Sequence, residues 1–440
     1  MNHPTSTSQI RRKPSPWQSR FALMFGTVSC QCLIMGIQTL QAIVVARALG
    51  PEARGQYATA LFYTQTLLYA GLLGTLLSIA RRAANEAIPI EQLRRSALRT
   101  GWWIGLANLI VVGILSLTAL PAEKQTLWLL CVACGLMLPI EHARLALLAV
   151  DHGREAFHRY NAQRLFAASV YPILVAGLWL GGHATLNTIL AAAVVAPIVG
   201  LAAMRLGASE SLWWGPYQPA PRDLVREGLP YGAAQVSAAI FERLDLILVL
   251  WFTSFRDQGL YAAAVPAAGL MLIAPHALAL FAFNAGARHS GPLEFRRVMD
   301  AFAKLVAFQA ITAAAFAVVL GPIIRLVFGP DFNDAVPVAL ALLPAFALNG
   351  VARSAEAYLQ GRHRAALGVW ARIVGSGVML VAAWFLIGPW QTVGVAIAAS
   401  MGHGVTALWM LAGLIEECRE TSGRSHTPSF STSTQAKEVA

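Results

Sequence analysis

The chain has little charge for its length. Asp, Glu, Lys and Arg make up 12% of its 440 residues, whereas hydrophobic residues make up 57%. A soluble globular domain carries about 25% charged residues. Because so few charges cannot solvate the surface of a chain this long, a soluble protein is excluded, and lipid is expected to cover much of the surface.

Motifs that bind nucleotides or carry out hydrolysis are also missing. No lysine follows a glycine, which excludes the Gly-x-x-x-x-Gly-Lys-Ser/Thr loop that holds ATP phosphates. The chain has no His-Glu-x-x-His, Gly-x-Ser-x-Gly or Asp-x-Asp sequence. We therefore expect no cofactor, and any transport would be driven by an ion gradient, the membrane potential or the substrate gradient.

Cysteine is scarce as well, with five residues in the whole chain. Cys131 and Cys134 form a Cys-x-x-Cys pair inside an apolar run, with no second pair and no histidine cluster nearby. Such cysteines usually serve as small packing residues. No metal site is predicted.

What the chain does contain is a series of long apolar runs. Crossing the hydrocarbon of a bilayer takes about 20 mostly apolar residues per helix. The runs are continuous and lack period-2 alternation, which favours helices over a β-barrel. Twelve runs meet this length: 20–46, 56–80, 100–120, 126–150, 160–181, 185–206, 229–253, 258–282, 300–322, 334–358, 364–387 and 391–415.

The distribution of basic residues predicts the topology. The formal net charge is +11, and alternate connecting segments and the two ends hold 27 of the 33 Lys and Arg residues. An excess of Lys and Arg marks cytoplasmic segments, so both termini are expected in the cytoplasm. The bilayer thus accounts for the basic charge, and no nucleic-acid partner is expected.

The chain repeats itself at about half its length. Residues 46–60, ARALGPEARGQYATA, match residues 251–264, WFTSFRDQGLYAAA, with Gly-x-Tyr-x-x-Ala beginning at Gly55 and at Gly259. A second, weaker match pairs an Ala-Arg before Gly153 with an Ala-Arg before Gly361. Two like halves with an even number of spans each share one orientation, and their axis runs along the membrane normal.

These observations predict an all-α integral membrane protein of about twelve transmembrane helices, built as two six-helix bundles related by a pseudo-twofold axis along the membrane normal. Residues 419–440 are rich in Ser and Thr, which predicts that this segment is disordered. The predicted divisions are a cytoplasmic tail at 1–19, an N-terminal bundle at 20–206, a cytoplasmic linker at 207–228, a C-terminal bundle at 229–418 and a disordered cytoplasmic tail at 419–440.

Three charges lie about halfway across the seventh run: Glu242, Arg243 and Asp245. Charges at that depth cost several kcal/mol, so they should face protein or water. Arg243 is a candidate for binding an anionic substrate. Glu242 and Asp245, which share a helix face at i, i+3, are candidates for binding a coupling cation. The alternative is a structural cluster of ion pairs with a neighbouring span.

The repeat places amides where the seventh run has acids. Shifting by 204 residues maps Glu242 onto Gln38 and Asp245 onto Gln41, and Gln31 lies two turns before Gln38. Amides both donate and accept hydrogen bonds, which suits the hydroxyl groups of sugars. Hydrogen bonding between helices is the alternative role for these residues.

Two further arginines lie toward the cytoplasmic ends of their runs. Arg144 is three residues from Glu141, and Arg353 is three residues from Glu356. A guanidinium suits phosphate through its bidentate fork, so the two arginines are candidates for gripping a phosphate at the inner mouth. The alternative is snorkelling to the headgroups with local pairing to the glutamates.

Several segments resemble one family. Residues 46–57, ARALGPEARGQY, resemble the first-loop signature of bacterial polysaccharide-biosynthesis flippases. Arg243-x-Asp245 followed by Gly259-x-Tyr261 is similar to their seventh-span pattern, and residues 328–332, FGPDF, with the proline of the next run, are similar to their ninth-to-tenth connection. The likeness covers residues 18–415.

The resemblance implies a member of the multidrug/oligosaccharidyl-lipid/polysaccharide exporter superfamily, with two six-helix bundles forming a V around a central cavity. It implies a multi-pass protein of the bacterial inner membrane that moves an undecaprenyl-pyrophosphate-linked oligosaccharide, for O-antigen or exopolysaccharide synthesis, to the outer leaflet. The polysaccharide polymerase and export machinery are further candidate partners.

Two other functions stay open from the sequence. A multidrug or cation antiporter of the same fold should have an acidic, aromatic cavity, whereas this chain offers Arg243 among amides. A membrane glycosyltransferase or polymerase generally carries a sizeable outer loop, and every predicted outer loop here is short.

Overall fold

The computed structural model describes residues 16–85, 88–206, 213–288 and 295–424, and these form α helices joined by short turns and 3-10 segments. The N-terminal half, here the N-half, contains α1 (Pro16–Ala70), α2 (Thr75–Ala84), α3 (Ile90–Thr118), α4 (Trp128–Gly135), α5 (Met137–Gly153), α6 (Phe157–Leu180) and α7 (Leu186–Leu206). The C-half contains α8 (Pro221–Phe241), α9 (Leu244–Phe252), α10 (Phe255–Gly269), α11 (Ile273–Arg288), α12 (Phe295–Phe328), α13 (Ala335–Gly361) and α14 (Ala366–Arg424).

These helices correspond to the twelve predicted spans. Two of them contain a kink and make two spans each: α1 turns at Gly50 (φ 69°, ψ 174°) and α14 turns at Gln391 (φ 45°, ψ −124°). Four other spans consist of two pieces in line, because α2 continues the second part of α1 and the pairs α4–α5, α8–α9 and α10–α11 each make one crossing.

Hydropathy alone identifies nine of the described helical segments as long and apolar enough to cross a membrane. Two of the nine, at 59 and 55 residues, are the kinked segments that are long enough for two crossings. The remaining crossing is α8–α9, which contains the charges at residues 242–245 and is interrupted there. Because the chain has this many crossings, it is a multi-pass membrane protein.

The connections between spans lie at two ends of the bundle. We name the end with residues 85, 88–89, 154–156, 213–220 and 362–365 the basic face. The other end, with residue 50, residues 119–127, 181–185, 253–254 and 329–334, is the distal face.

Two helix ends differ from the predicted divisions. Helix α8 begins at Pro221, inside the predicted linker, because proline fits the first turn of a helix and follows the extended Ala220. Helix α14 continues to Arg424, past the predicted end of the last bundle at residue 418. Residues 1–15 and 425–440 of the predicted tails lie outside the described residues.

The two halves cross at the glycines of the repeat. A side chain on Gly55 of α1 would collide with the carbonyl of Phe255, and one on Gly259 of α10 would collide with the carbonyl of Pro51. The shift of 204 residues maps Gly55 onto Gly259 and Pro51 onto Phe255. Reciprocal contacts of this kind are what a twofold axis through the crossing requires, so the predicted symmetry is confirmed.

The second repeated segment packs alike in both halves. Gly153 at the end of α5 lies against the carbonyl of Ala80 on α2, and Gly361 at the end of α13 lies against the carbonyl of Phe283 on α11. In each half the glycine allows two helices to approach closely near the basic face.

Each half also has its own apolar core, the largest being in the C-half around Tyr261, Val338 and Ala396.

Candidate substrate site

The seventh span breaks at its charges. Helix α8 ends at Phe241, α9 begins at Leu244, and Arg243 between them has φ −121° and ψ 2°. The expectation that Glu242 and Asp245 share one helix face was wrong, because the helix is interrupted between them. The two carboxylates consequently have different partners.

Asp245 is bound to the tyrosine of the repeat. Its Oδ2 accepts a hydrogen bond from the Tyr261 hydroxyl at 2.7 Å, and its Oδ1 accepts one from the backbone N–H of Leu246 at 2.8 Å. In the N-half the equivalent Gln41 interacts with the equivalent Tyr57. The repeat therefore preserves a side-chain contact that joins two spans in each half.

Glu242 pairs with Arg353, which joins α8 to α13. Glu356, three residues after Arg353, instead accepts two bonds from Arg372 of α14 at 2.7 and 2.9 Å and a third from Gln360 at 3.0 Å. Local pairing of Arg353 with Glu356 was therefore wrong. Because Arg372 binds both oxygens of Glu356, Arg353 pairs instead with the carboxylate of Glu242.

These ion pairs line a cavity of about 380 Å³ between α8, α11, α13 and α14. His276 and His403 also line it, and the His403 ring packs edge-on against Phe241 with the ring centroids 4.7 Å apart. We name it the C-half cavity; its charged and polar lining includes Glu242, His276, Asn349, Arg353, Glu356, Arg372 and His403.

A second polar cluster surrounds Tyr69, in the N-half. Arg144 donates to both oxygens of Glu141, at 2.5 and 3.2 Å, and Arg164 of α6 donates to the amide oxygen of Gln31 on α1. The charged side chains that interact electrostatically with Tyr69 are Glu141, Arg144, Arg164 and Arg243. We name these four the cationic group, since it holds three guanidinium groups and one carboxylate.

Arg243 of the C-half thus faces the N-half across the interface. Within the described residues, no group hydrogen-bonds to its guanidinium or forms an ion pair with it, although Glu242 and Asp245 lie near enough to interact with its charge. Arg243 and Arg144 therefore both lie near Tyr69, and Gln31 is joined to the cationic group through Arg164. The structure places Glu242 and Arg353 in the adjacent C-half cavity.

The other two amides are not part of either cluster. Gln41 contacts Tyr57, as described above. Gln38 is exposed on α1 and makes no hydrogen bond within the described part of the chain. Of the three predicted glutamines, only Gln31 bonds to a member of the cationic group.

The halves are tied together at the distal face. The buried Lys124 of the N-half donates from Nζ to the carbonyl of Leu250 at 2.7 Å and to Oε1 of Gln258 at 2.8 Å. Arg47 donates from Nε and Nη2 to the carbonyls of residues 327 and 326 at 2.6 and 2.5 Å. We name Lys124 and Arg47 the distal latches, because both donate from the N-half to backbone of the C-half.

The basic face is closed by α2 and α8. The Ser78 hydroxyl donates to the carbonyl of Leu224 at 2.7 Å, and Arg82 forms an ion pair with Glu227. The hydrogen bonds from Arg82 lower the pKa of Glu227 from its ordinary value. Both faces are therefore joined across the two halves, and the cationic group lies between them.

Several site residues were missed from the sequence. Arg164 and Arg372 were assigned to cytoplasmic segments, although both lie within predicted apolar runs. Their position inside a run was the available signal. His276, Asn349 and His403 carried no pattern that sets them apart from packing residues, since isolated polar residues are common between membrane helices.

Comparisons with known proteins identify the fold. No family model matches the chain, and no curated protein matches its sequence. Among solved structures, the lipid II flippase MurJ in an inward closed conformation superposes with a TM-score of 0.69 at 13% identity, covering 92% of this chain and 90% of that chain. An inward-facing multidrug resistance MATE transporter of the MOP superfamily gives 0.67 at 15% identity, covering 89% and 96%.

A eukaryotic MATE transporter gives a TM-score of 0.60 at 14% identity, covering 93% of this chain and 99% of that chain. The chain therefore has the fold of the flippases and exporters of the multidrug/oligosaccharidyl-lipid/polysaccharide superfamily, and the predicted fold class is confirmed. That fold comprises twelve helices in two bundles. The comparisons thus identify the fold of the chain, which lipid flippases and multidrug transporters share.

Proposed function

We propose that the protein is a flippase that moves an undecaprenyl-pyrophosphate-linked oligosaccharide from the inner to the outer leaflet of the bacterial inner membrane, with both termini and the basic face in the cytoplasm. The observation that carries this proposal is the cationic group, in which Arg144 and Arg164 of the N-half and Arg243 of the C-half all lie near enough to Tyr69 to interact with it electrostatically. The proposed activity is transport without chemical change of the lipid.

The charge of this group supports an anionic cargo. Three guanidinium groups face one carboxylate there, and the carboxylate is already bound by Arg144. A pyrophosphate diester carries about two negative charges, and planar guanidinium groups bind phosphate oxygens through two parallel hydrogen bonds. Arg243, which has no hydrogen-bonding partner among the described residues, is the side chain that we assign to first contact with the pyrophosphate.

Multidrug antiport is the second candidate, because MATE transporters share the fold. An organic cation at the interface would meet the like charge of the cationic group, which disfavours its binding. The lipid II flippase among the structural neighbours supports a lipid-linked cargo instead.

For energy coupling we propose Glu242 rather than Asp245. The Glu242 side chain is 47% exposed and holds a partner that belongs to another helix, so a cation can reach it. Both oxygens of Asp245 already accept hydrogen bonds, from Tyr261 and from Leu246. A proton or Na⁺ at Glu242 would release Arg353.

The test replaces Arg243 and measures movement of a lipid-linked oligosaccharide across proteoliposome membranes. Arg243→Ala is expected to lower the rate by about 10- to 100-fold, since a charge-assisted hydrogen bond contributes roughly 1.5–3 kcal/mol. Arg243→Lys should recover part of the rate, because the charge remains and the bidentate fork is lost. Arg325→Ala, at an exposed arginine of the distal face, is the matched control. A wild-type rate for Arg243→Ala at equal protein level would reject the assignment.

A further inference from the structure

The C-half cavity adjoins the cationic group through consecutive residues. Glu242 lines the cavity, and Arg243 belongs to the cationic group. Their Cα atoms are about 3.8 Å apart, as in any trans peptide. The cavity wall and the cationic group are therefore contiguous along the chain at this point.

The charges of the C-half cavity are balanced internally. Glu242 pairs with Arg353, and Glu356 pairs with Arg372. A phosphate that entered would have to take an arginine from its carboxylate, which leaves that carboxylate without its counter-charge beside the phosphate and disfavours the exchange. The cavity is thus suited to an uncharged polar group, in contrast to the cationic group beside it.

Three side chains in the cavity have hydrogen-bonding capacity to spare. Nδ1 of His276 bonds the carbonyl of Leu272 at 2.6 Å, which leaves Nε2 as an acceptor when the ring is neutral. Asn349 and His403 make no side-chain hydrogen bond within the described residues, and both line the cavity. Together they offer donors and acceptors on the wall of one cavity, where the hydroxyl groups of a sugar can bind.

The size of the cavity limits the ligand. A volume of about 380 Å³ lies near the lower end of the range of roughly 300–1,000 Å³ for small-molecule pockets. One sugar fits such a space, whereas a longer glycan would extend beyond it into the region between the halves.

We propose that the C-half cavity is a sugar subsite, which binds the sugar directly attached to the pyrophosphate while the cationic group binds the pyrophosphate itself. This inference rests on the proposed function. It divides recognition of one lipid between the cationic group and the C-half cavity, with Asn349, His276 and His403 selecting the sugar.

The experiment measures binding to the full-length protein in nanodiscs with matched probes. One probe is polyprenyl diphosphate without sugar, and the others carry a single N-acetylglucosamine, glucose or galactose on the same lipid. The wild type is expected to bind at least one glycosylated lipid about tenfold more tightly than the sugar-free lipid. The double variant Asn349→Leu with His403→Phe keeps the cavity volume similar and should lose that preference, with its affinity for the sugar-free lipid unchanged.

Two further variants separate the possible failures. His403→Gln retains hydrogen bonding and should keep the preference, which shows that a loss in the double variant reflects polar contacts rather than misfolding. Arg243→Ala should weaken all the lipids alike. The sugar subsite is overturned if the wild type shows no preference for any of the three sugars, or if the double variant weakens sugar-free and glycosylated lipids equally. Unchanged affinities in Arg243→Ala would instead reject the cationic group as the pyrophosphate site.

Discussion

Glu242 and Asp245 show how burial and partners separate two neighbouring acids. Asp245 has its two oxygens committed to neutral donors of its own half, the Tyr261 hydroxyl and the backbone N–H of Leu246. Glu242 holds a charged partner on another helix and remains half-exposed. Protonation would weaken the contact of Glu242 with Arg353, because an ion pair depends on charge. It would alter the contact of Asp245 with Tyr261 far less, because an uncharged group such as an amide can also accept that hydrogen bond.

Neutralising each acid in turn tests this difference. We expect Glu242→Gln to retain lipid binding and to lose stimulation of transport by an imposed pH or Na⁺ gradient. Asp245→Asn, the matched control, keeps an oxygen acceptor for Tyr261 and should retain stimulation. Transport in proteoliposomes with and without the gradient gives the comparison. If Glu242→Gln keeps full stimulation, the acid is a structural partner of Arg353, and the driving force must be the membrane potential or removal of product.

At the scale of elements, the distal latches explain why basic residues occur on a face that otherwise has few. The ammonium group of Lys124 is buried and bonded to the ends of α9 and α10, and Arg47 is bonded to the end of α12. Opening this face requires both cations to leave backbone or amide oxygens. The latches therefore favour the arrangement in which the distal ends of the halves stay together.

Removing the latches should shift the halves apart at the distal face. A hydrogen bond to a charged group contributes about 1.5–3 kcal/mol, so Lys124→Met or Arg47→Met should raise the open population roughly tenfold or more. Spin labels at Glu123→Cys and Asp331→Cys, in a background without the native cysteines, report the separation of the two halves by pulsed electron paramagnetic resonance. Arg325→Met is the control, since it removes a cation from the same face. Identical distance distributions with and without the latches would contradict their role.

At the scale of the whole molecule, the two halves combine symmetry with a difference in charge. The crossing at Gly55 and Gly259 relates them by a twofold axis, and the tyrosine contacts of Gln41 and Asp245 repeat across it. The polar interiors nevertheless differ, because three of the four members of the cationic group belong to the N-half, whereas the C-half cavity holds balanced pairs. A cargo with one charged and one neutral part matches this difference.

The orientation in the membrane is tested by labelling intact cells with an impermeant maleimide. His183→Cys and Asp331→Cys lie on the distal face and should react, because the bias of Lys and Arg predicts that the other face is in the cytoplasm. Trp214→Cys lies in the exposed linker of the basic face and should react only after the cells are opened. Labelling of the Trp214 site in intact cells would overturn the proposed orientation.

Much of the fold was predictable because its determinants are local or periodic. Apolar runs of sufficient length define the spans whatever their neighbours are, and the bias of basic residues needs only a count of charges along the chain. The repeat at Gly55 and Gly259 predicted two like halves, since equal segments fold alike. The depth of Arg243 in its run likewise pointed to a residue that must face protein or water.

Which partner each charge takes was decided only by tertiary structure. From the sequence, Arg353 and Glu356 are neighbours on one helix, yet Arg372 takes Glu356 and Arg353 takes Glu242, 111 residues away. The seventh span breaks after Phe241, at the end of a helix that packs on α2 of the N-half and on α14 of its own half, contacts that the sequence does not show. Membrane insertion depends on the hydropathy of each segment by itself, whereas ion pairs depend on distances between segments. The sequence therefore determined the spans and their symmetry, and the packed helices alone determined the cavity and its charges.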